Sequence, residues 1–422
     1  MTTSFNEALK VWARIGVLSF GGPAGQIALL HKEVVEQRNW LSEQEFLRAL
    51  NFCMLLPGPE AMQLATYCGW KLHGQKGGVA AGLLFVLPGA CVILALSILY
   101  ALVGNVPLVQ ALFWGVKAAV VAIVFEALLK ISKKALKRKL DWILAALAFV
   151  ALFFFGLPFL LVVAAAAMVG FVMGDAGGPI DSIARPKLAD TFRTIVGWLL
   201  VWLLPLAALY FVFGQTHVFT RLASIFSTLA VVTFGGAYAV LASLGQSVVE
   251  QTGWMTTQQM IDGFGLAETT PGPLILVGQF VSFTSAHHVE GGLWAGVFAS
   301  VIFLWMTFAP CFLWICAGAP WIEWLDSIPK LRSALSAITA AVTGVILNLS
   351  LWFFLHVVFG KAERLSGPIP VWWPDFSTFD AAALVLAILL GLVLLKLKAG
   401  IPKTLAIGLA AGLFWNFMTT VI

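Results

Sequence analysis

Two Pro-Gly-Pro segments, Pro57-Gly58-Pro59 and Pro271-Gly272-Pro273, are the residues of this chain best suited to bind an anion. Proline removes a backbone donor and clashes with the preceding turn, and glycine lowers helix propensity, so each segment should end one helix and let another begin. The new helix points free N–H groups and its positive dipole end at the break. Two such ends near the middle of a membrane would bind a small anion; structural kinks or extramembrane turns are the alternative.

Two Phe-Gly-Gly segments accompany the breaks, and hydroxyl and amide side chains lie beside them. The glycines should let backbones approach closely or open a second break, with helix packing through small residues as the alternative. Hydroxyls and amides can donate to an oxyanion without a fixed charge, so binding stays reversible. The predicted binding residues of these segments are Phe20, Gly21, Gly22, Gln26, Pro57, Gly58, Pro59, Glu60, Gln63 and Tyr67, followed by Phe234, Gly235, Gly236, Tyr238, Thr269, Thr270, Pro271, Gly272, Pro273 and Gln279, with Ser19, Thr66 and Thr233 as further lining candidates.

Ionisable residues near apolar runs are candidates for a functional role, because placing a charge in the hydrocarbon of a membrane costs free energy. Arg14 and Lys117 are predicted to supply positive charge to the anion. Glu126 shares the run 107–129 with Lys117 and is interpreted as pairing with another helix or reaching toward Lys130; a coupling-proton role is the alternative.

Composition places the surroundings of these motifs in lipid. The chain has 422 residues, 60% hydrophobic and 11% charged, with a mean hydropathy of +0.96. Soluble domains are about 25% charged, and so few polar residues cannot cover a water-soluble fold of this size. The net charge of +5 is spread over short stretches between apolar runs, which argues against nucleic acid as a partner.

The cysteines and the N-terminus carry little functional signal. The five cysteines form no CxxC pair and lie mostly in apolar runs, so we interpret them as packing residues and predict neither a disulfide nor a metal site. The first 14 residues lack the pattern of a signal peptide, so the N-terminus should be retained.

Repeated apolar runs predict an all-α polytopic membrane protein. The stretch 141–173, interrupted at Gly156 and Pro158, fits two short helices or one broken helix. Residues 9–75 and 221–287 hold only short apolar pieces, which predicts broken or re-entrant helices at the Phe-Gly-Gly and Pro-Gly-Pro motifs. The runs long enough to span a bilayer lie near 79–103, 107–129, 194–214, 291–318, 334–358, 380–397 and 401–421.

An internal repeat organises these runs into two homologous halves. Phe-Gly-Gly, Val-Glu-Gln, a tryptophan and Pro-Gly-Pro recur in register 214 residues apart, and a weaker match continues at 222. The halves are predicted as 1–173 and 193–422, joined by a cytoplasmic linker at 174–192. Placing the basic run from Lys130 to Lys139 and this linker inside the cell makes the halves an inverted repeat, with a parallel repeat as the alternative.

No enzyme signature is present in the sequence. HExxH, GxSxG, Walker A and a dinucleotide-binding glycine motif are all missing, and the pair His287-His288 lacks neighbouring residues at metal-ligand spacing. We therefore expect no catalysis, no metal and no cofactor.

The two copies of Phe-Gly-Gly followed by Pro-Gly-Pro, with Val-Glu-Gln and tryptophan between them, resemble the chromate ion transporter (CHR) family. The match is closest at Arg14 to Gly22, at Leu56 to Pro59 with Gln63, and at 234–236 and 271–273. It covers nearly the whole chain, as in the long, two-domain members. Glu60 departs from the small or hydroxyl residues common there and would repel a nearby anion, so we expect it to be neutral, paired or turned away.

The resemblance implies a multi-pass cell (inner) membrane transporter that exports chromate, confers chromate resistance and carries its binding residues in the matching motifs. With the repeat, it predicts alternating access between two halves, driven by the membrane potential or a proton. Sulfate or another oxyanion, carried by a transporter or channel, is one alternative. A membrane-embedded enzyme or non-transporting assembly subunit is the other, and Trp- and Phe-rich flanks suggest a homodimer.

Overall fold

The computed structural model describes residues 3–20, 22–104, 106–174, 188–232, 243–322, 328–364 and 372–421. These residues are mostly helical, apart from an antiparallel hairpin of β1 (Ala362–Arg364) and β2 (Trp372–Pro374). The α-helices are α1 (Phe5–Leu18), α2 (Gly22–His31), α3 (Glu43–Leu55), α4 (Glu60–Val103), α5 (Pro107–Ala135), α6 (Lys139–Phe153), α7 (Phe159–Met173), α8 (Leu188–Phe213), α9 (Val218–Val232), α10 (Thr257–Thr269), α11 (Val277–Glu290), α12 (Leu293–Gly318), α13 (Pro329–Val358), α14 (Ala381–Leu395) and α15 (Ile401–Val421).

Local sequence signals fix several helix starts. Ser42 caps α3 in a reciprocal capping box, its Oγ accepting from the N–H of Glu45 while the Glu45 carboxylate accepts from the N–H of Ser42. Pro107 occupies the first turn of α5, where its missing N–H costs nothing. Asp380 caps α14 by accepting from the N–H of Ala383 at 2.8 Å.

Six helices of the described residues are long and apolar enough to cross a membrane. This confirms the polytopic all-α prediction, and the observed helices follow the predicted apolar runs closely. The stretch 141–173 is two short helices, α6 and α7, separated where Gly156 adopts a φ of +60°. The candidate spans are Glu60–Val103, Pro107–Ala135, Leu188–Phe213, Leu293–Trp321, Pro329–Val358 and Ile401–Thr419.

Helix α4 is a tight helical hairpin. Its 44 residues would reach about 66 Å if straight, twice the hydrocarbon thickness. Backbone angles leave the helical region at His73 and Gly74, and a Cβ added to Gly69 would lie 2.3 Å from the carbonyl oxygen of Gly77. The first arm, residues 60–72, therefore folds back on the second arm, residues 75–103. About 20 Å long, the first arm is too short to span a bilayer alone.

The repeat found in the sequence is reproduced element by element. Helices α3 and α10 match residue for residue at a separation of 214, as do the starts of α5 and α13 at 222. Helix α6 matches α14, and the start of α7 matches that of α15, at 242. The extra 20 residues of the second half include the β1–β2 hairpin. Helix α8 lies between the two sets.

The described chain forms two compact units, and each takes segments from both repeats. The first unit contains residues 1–95, 171–237 and 270–333, and the second contains 96–170, 238–269 and 334–422. The predicted boundaries 1–173, 174–192 and 193–422 describe the repeats and stay a prediction; residues 175–187 of that linker lie outside the described residues.

Glycines bring helices into close contact within each unit. In the first unit, a Cβ at Gly16 would lie 2.0 Å from the carbonyl oxygen of Leu84, so α1 meets the second arm of α4. In the second unit, a Cβ at Gly115 would lie 1.8 Å from the carbonyl oxygen of Gly408, so α5 meets α15. In lipid the hydrophobic effect does not drive helices together. Close van der Waals packing of backbones, which such small residues allow, stabilises helix association instead.

Candidate functional site

The first Pro-Gly-Pro segment separates α3 from α4 in the first unit. Gly58 has a φ of +117°, which favours glycine, and it is buried together with Pro57. The side chain of Gln63 folds back onto this turn, and its Nε2 donates to the carbonyl oxygen of Pro57 at 2.7 Å. A Cβ on Gly58 would lie 2.9 Å from Cys311 Sγ, so the turn has no room for a side chain.

The second Pro-Gly-Pro segment lies in the same unit, between α10 and a short 3-10 turn, Leu274–Leu276, that leads into α11. All residues from 271 to 277 are buried, and Gly272 has a φ of +95°. The backbone is thus non-helical at both segments, whereas broken or re-entrant membrane helices at these motifs stay a prediction. Their place at mid-membrane remains a prediction.

Hydrogen bonds tie the second break to the end of α1. The N–H of Gly272 donates to the carbonyl oxygen of Ser19 at 2.8 Å. Gln26 Nε2 donates to the carbonyl oxygen of Gly272 at 2.6 Å and to that of Ser19 at 3.3 Å. Gln26 is 1% exposed, so these bonds satisfy carbonyl groups that water does not reach. The predicted residues Gln26 and Gly272, far apart in sequence, are in direct contact.

Helix α4 covers the other side of the second break. A Cβ on Gly89 would lie 2.2 Å from the carbonyl oxygen of Pro271, so only glycine fits there. One residue on, the carbonyl oxygen of Ala90 accepts from Gln279 Nε2 at 3.0 Å. The break is therefore enclosed by α1 and α4 from the first repeat.

Several buried polar atoms of the first unit have no hydrogen-bond partner within the described residues. They include an acceptor beside each break, Gln63 Oε1 at the first and Ser19 Oγ at the second, and Gln279 Oε1 close by. Ser282 and Ser285 follow Gln279 at three-residue spacing on α11, and both are 0% exposed. Buried polar groups are normally satisfied, so this stripe fits a route for a polar ligand.

The helix starts after the two breaks differ in charge. Glu60 is the first residue of α4 and interacts with the positive end of that helix, where an acidic residue is stabilised. At the equivalent place in the second repeat stands Leu274, which is apolar. The second start therefore has no acidic side chain in the turn that follows it.

The remaining predicted residues of the first unit are dispersed. Arg14 and Phe20 are exposed, Gly22 opens α2 with a φ of +69°, and Tyr67 is buried beside Trp70. In the neighbouring turn Thr270 is buried, as is Thr66, which donates to the carbonyl oxygen of Met62. Predicted residues outside the described ones are Gly21, Thr233, Phe234, Gly235, Gly236 and Tyr238.

Lys117 belongs to the second unit, where it joins a buried polar cluster. Its Nζ lies 3.1 Å from Asp262 Oδ1, and the hydroxyl of Tyr100 donates to Asp262 Oδ2 at 2.8 Å. Thr269, also in this unit, is exposed and donates to the carbonyl oxygen of Leu266. Glu126 pairs with Lys130 on its own helix, with 2.7 Å between Oε1 and Nζ. This agrees with the interpretation that Glu126 reaches toward Lys130.

Sequence reasoning missed Asp262, Tyr100 and the α11 serines. Asp262 stands among apolar residues in the second half, 214 positions after Arg48, so the repeat contained a signal: a charge of opposite sign at equivalent positions. The spacing of Gln279, Ser282 and Ser285 in an apolar run was a second signal, because three-residue steps share one helix face.

Repeated short helices at buried breaks, enclosed by long apolar helices, define a multi-pass membrane protein of the transporter class. The chain belongs to the chromate transporter family, whose profile matches residues 7–171 and 220–415, one match per repeat. No solved structure matches the chain significantly.

Curated relatives with this name span most of the chain. A probable chromate transport protein of Synechococcus elongatus is 28% identical over 98% of this chain and 96% of its own. A chromate transport protein of Pseudomonas aeruginosa is 30% identical over 81% of this chain and 79% of its own. A chromate transport protein of Cupriavidus metallidurans is 28% identical over 82% of this chain and 81% of its own.

Proposed function

We propose that the protein exports chromate across the cell (inner) membrane as a secondary transporter and so confers chromate resistance. Family membership supports chromate as the cargo, since the relatives compared above are named for its transport. The cytoplasmic side is assigned from the basic run between Lys130 and Lys139 by the positive-inside rule.

The buried second break is the observation that carries the anion site. The positive end of the helical segment that follows it suits an oxyanion, and the unpartnered Ser19 Oγ, with the α11 hydroxyls of Ser282 and Ser285 farther along, can donate hydrogen bonds. Because Glu60 already compensates the first helix start, we place the principal site at 271–273 and a weaker one at 57–59.

The energy for export comes at least partly from the membrane potential. An inside-negative potential favours outward movement of a dianion by about 4.6 kcal/mol per 100 mV, because each charge contributes about 2.3 kcal/mol. Alternating access then requires two interconvertible halves. The matched helices of the repeats support this mechanism. Helix α8 lies between them and is long and apolar enough to carry the chain across the membrane, which supports their inversion.

The test is saturable chromate uptake into inside-out vesicles, comparing the intact protein with Pro271→Ala, Pro57→Ala and the double variant. We expect Pro271→Ala to reduce uptake more than Pro57→Ala, and the double variant to abolish it. Pro205→Ala is the control, since Pro205 lies inside the continuous helix α8, outside both repeats. Excess sulfate in the assay measures selectivity between the two tetrahedral dianions.

Each outcome separates the proposal from its alternatives. Uptake blocked fully by sulfate but weak for chromate would assign a sulfate transporter. Flux that never saturates would indicate a channel. A well-folded intact protein without anion flux under any imposed gradient would leave a membrane assembly subunit or enzyme, and crosslinking in the same membranes would test the proposed homodimer.

A further inference from the structure

A buried cluster in the second unit joins a carboxylate, an ammonium group and a phenol. Asp262 on α10 is 4% exposed, and its two oxygens face Lys117 Nζ at 3.1 Å and the Tyr100 hydroxyl at 2.8 Å. Lys117 comes from α5 of the first repeat and Asp262 from the second. The carboxylate thus occupies a small site whose donors, one cationic and one neutral, suit any oxyanion.

The fold does not require this pair. The residue of the first repeat that matches Asp262 is Arg48, which is exposed. The residue of the second repeat that matches Lys117 is Thr339, which is uncharged. The same helices therefore form without a buried carboxylate or lysine there. Burying an ion pair costs more desolvation energy than a well-packed apolar pair of similar size, so the cluster is better explained by function than by stability.

No other charged group of the described residues competes for Asp262. Of the elements packed against α10, α15 has only Lys403, which is exposed, and the π-helical turn Gly245–Gln251 has Glu250, also exposed. On α5, Glu126 and Lys130 bind each other. On α13, whose Phe353 packs on Phe264, the side chain of His356 bonds to the carbonyl oxygen of Trp352.

We propose that Asp262 is the proton-binding residue of the transport cycle and that its protonation frees Lys117 and Tyr100 to bind the oxyanion at a further position, besides the sites proposed at 271–273 and 57–59. The proton adds to a carboxylate oxygen, the negative charge of Asp262 is lost, and Lys117 keeps its positive charge. The cluster changes from neutral to cationic, which favours a dianion. By linkage, bound anion favours the proton equally, so the two move in the same direction. A dianion that moves together with one proton carries one net negative charge, so the inside-negative membrane potential still drives its export.

This inference rests on the proposed function, and its test separates the two. Purified full-length protein in liposomes is assayed for chromate uptake with the outside acidic and the potential clamped at zero by potassium and valinomycin. The rate should rise by up to about tenfold per pH unit, because the protonated fraction of Asp262 rises in proportion. Asp262→Asn should lose this response, leaving a ratio near one, while chromate–chromate exchange continues.

Two variants keep the test informative. Glu126→Gln removes another lysine-paired carboxylate of the same unit and should keep the full pH response at the same chromate speciation. Tyr100→Phe removes a donor that stabilises the ionised carboxylate, so the pH midpoint of uptake should shift upward, an effect that a structural role does not produce.

The outcomes are distinct. No chromate flux by the intact protein overturns the proposed function. Flux of the intact protein that ignores the pH gradient, a pH response retained in Asp262→Asn, or a folded Asp262→Asn that loses exchange as well overturns the proton role alone. If Asp262→Asn does not fold, Tyr100→Phe decides, because an unshifted midpoint contradicts the proposal.

Discussion

At the scale of single residues, Gln26 has the most specific role in the first unit. Its amide satisfies two buried carbonyl groups, those of Ser19 and Gly272, and so joins the end of α1 to the second break. A single side chain therefore connects residues 246 positions apart. Loss of this donor is costly because the Gly272 carbonyl then stays buried without its hydrogen-bond partner, while the Ser19 carbonyl still accepts from the N–H of Gly272.

Gln26→Leu should lower the free energy of unfolding by about 1–3 kcal/mol, the usual cost of leaving a buried polar group unsatisfied. It should also weaken chromate uptake, because the 271–273 turn loses its anchor. Thermal unfolding in detergent measures the first effect. Gln44→Leu is the control, since Gln44 is exposed at the start of α3. Equal stabilities of the two variants would contradict the role of Gln26.

His31 predicts a pH dependence outside the candidate spans. Its pKa is raised above the ordinary 6.5, chiefly by the hydrogen bond to the Glu43 carboxylate at 2.7 Å and also by Glu36 at 3.1 Å. A raised folded-state pKa means that the stabilisation is fully present below the unfolded value and is lost as pH rises through the folded value.

Comparing melting temperatures of the intact protein and His31→Gln across this range tests the sign. The difference should be largest below about pH 6.5 and should shrink as the solution becomes alkaline. Gln44→Leu, at an exposed and uncharged residue, is the control and should show no such trend. A difference that grows with pH would mean that His31 acts without its charge.

At the scale of elements, the site depends on how closely α4 approaches the second break. Gly89 leaves no space for a methyl group beside the carbonyl oxygen of Pro271. The helix and the turn are therefore shaped to each other, and a small change in α4 must move the helical segment that starts after 271–273. Close packing leaves no free space to absorb such a movement, so a shift of α4 is transmitted to the turn.

Gly89→Ala should destabilise the protein by about 1–3 kcal/mol through overpacking and reduce chromate uptake. Gly197→Ala is the matched control: Gly197 also lies within a long helix, but an added Cβ would meet nothing within 4 Å. That variant should be as stable as the intact protein or slightly more so, by up to about 1 kcal/mol. Normal uptake by Gly89→Ala would show that the fit does not govern the site.

At the scale of the whole molecule, the matched helices of the two repeats give the prediction of inversion a direct test. Ser42 and Thr256 hold equivalent, exposed positions just before α3 and α10. In an inverted repeat such positions face opposite sides of the membrane.

Single cysteines at 42 and 256, in a background without the five native cysteines, should be labelled by an impermeant thiol reagent from opposite sides. Right-side-out and inside-out vesicles provide the two directions. Labelling of both positions from the same side would establish a parallel repeat and remove the structural basis for alternating access by exchange of halves.

The class of protein, the membrane helices and the two halves could all be predicted from the sequence alone. Hydropathy records which segments must avoid water, and proline and glycine act locally, so the spans and both Pro-Gly-Pro breaks follow from composition and order. The repeat survives as motifs in register, and the matched helices α3 and α10 reproduce it.

The contacts between residues distant in sequence could not be predicted and are seen only in the folded structure. Long-range pairs such as Gln26 with Gly272, or Lys117 with Asp262, leave no local pattern, because their partners are chosen by helix packing. The same packing divides the chain into units that cut across the repeats and turns α4 back on itself at Gly74. Periodicity and propensity report the surroundings of a residue along its own helix, whereas the identity of its neighbour on another helix depends on close packing in three dimensions.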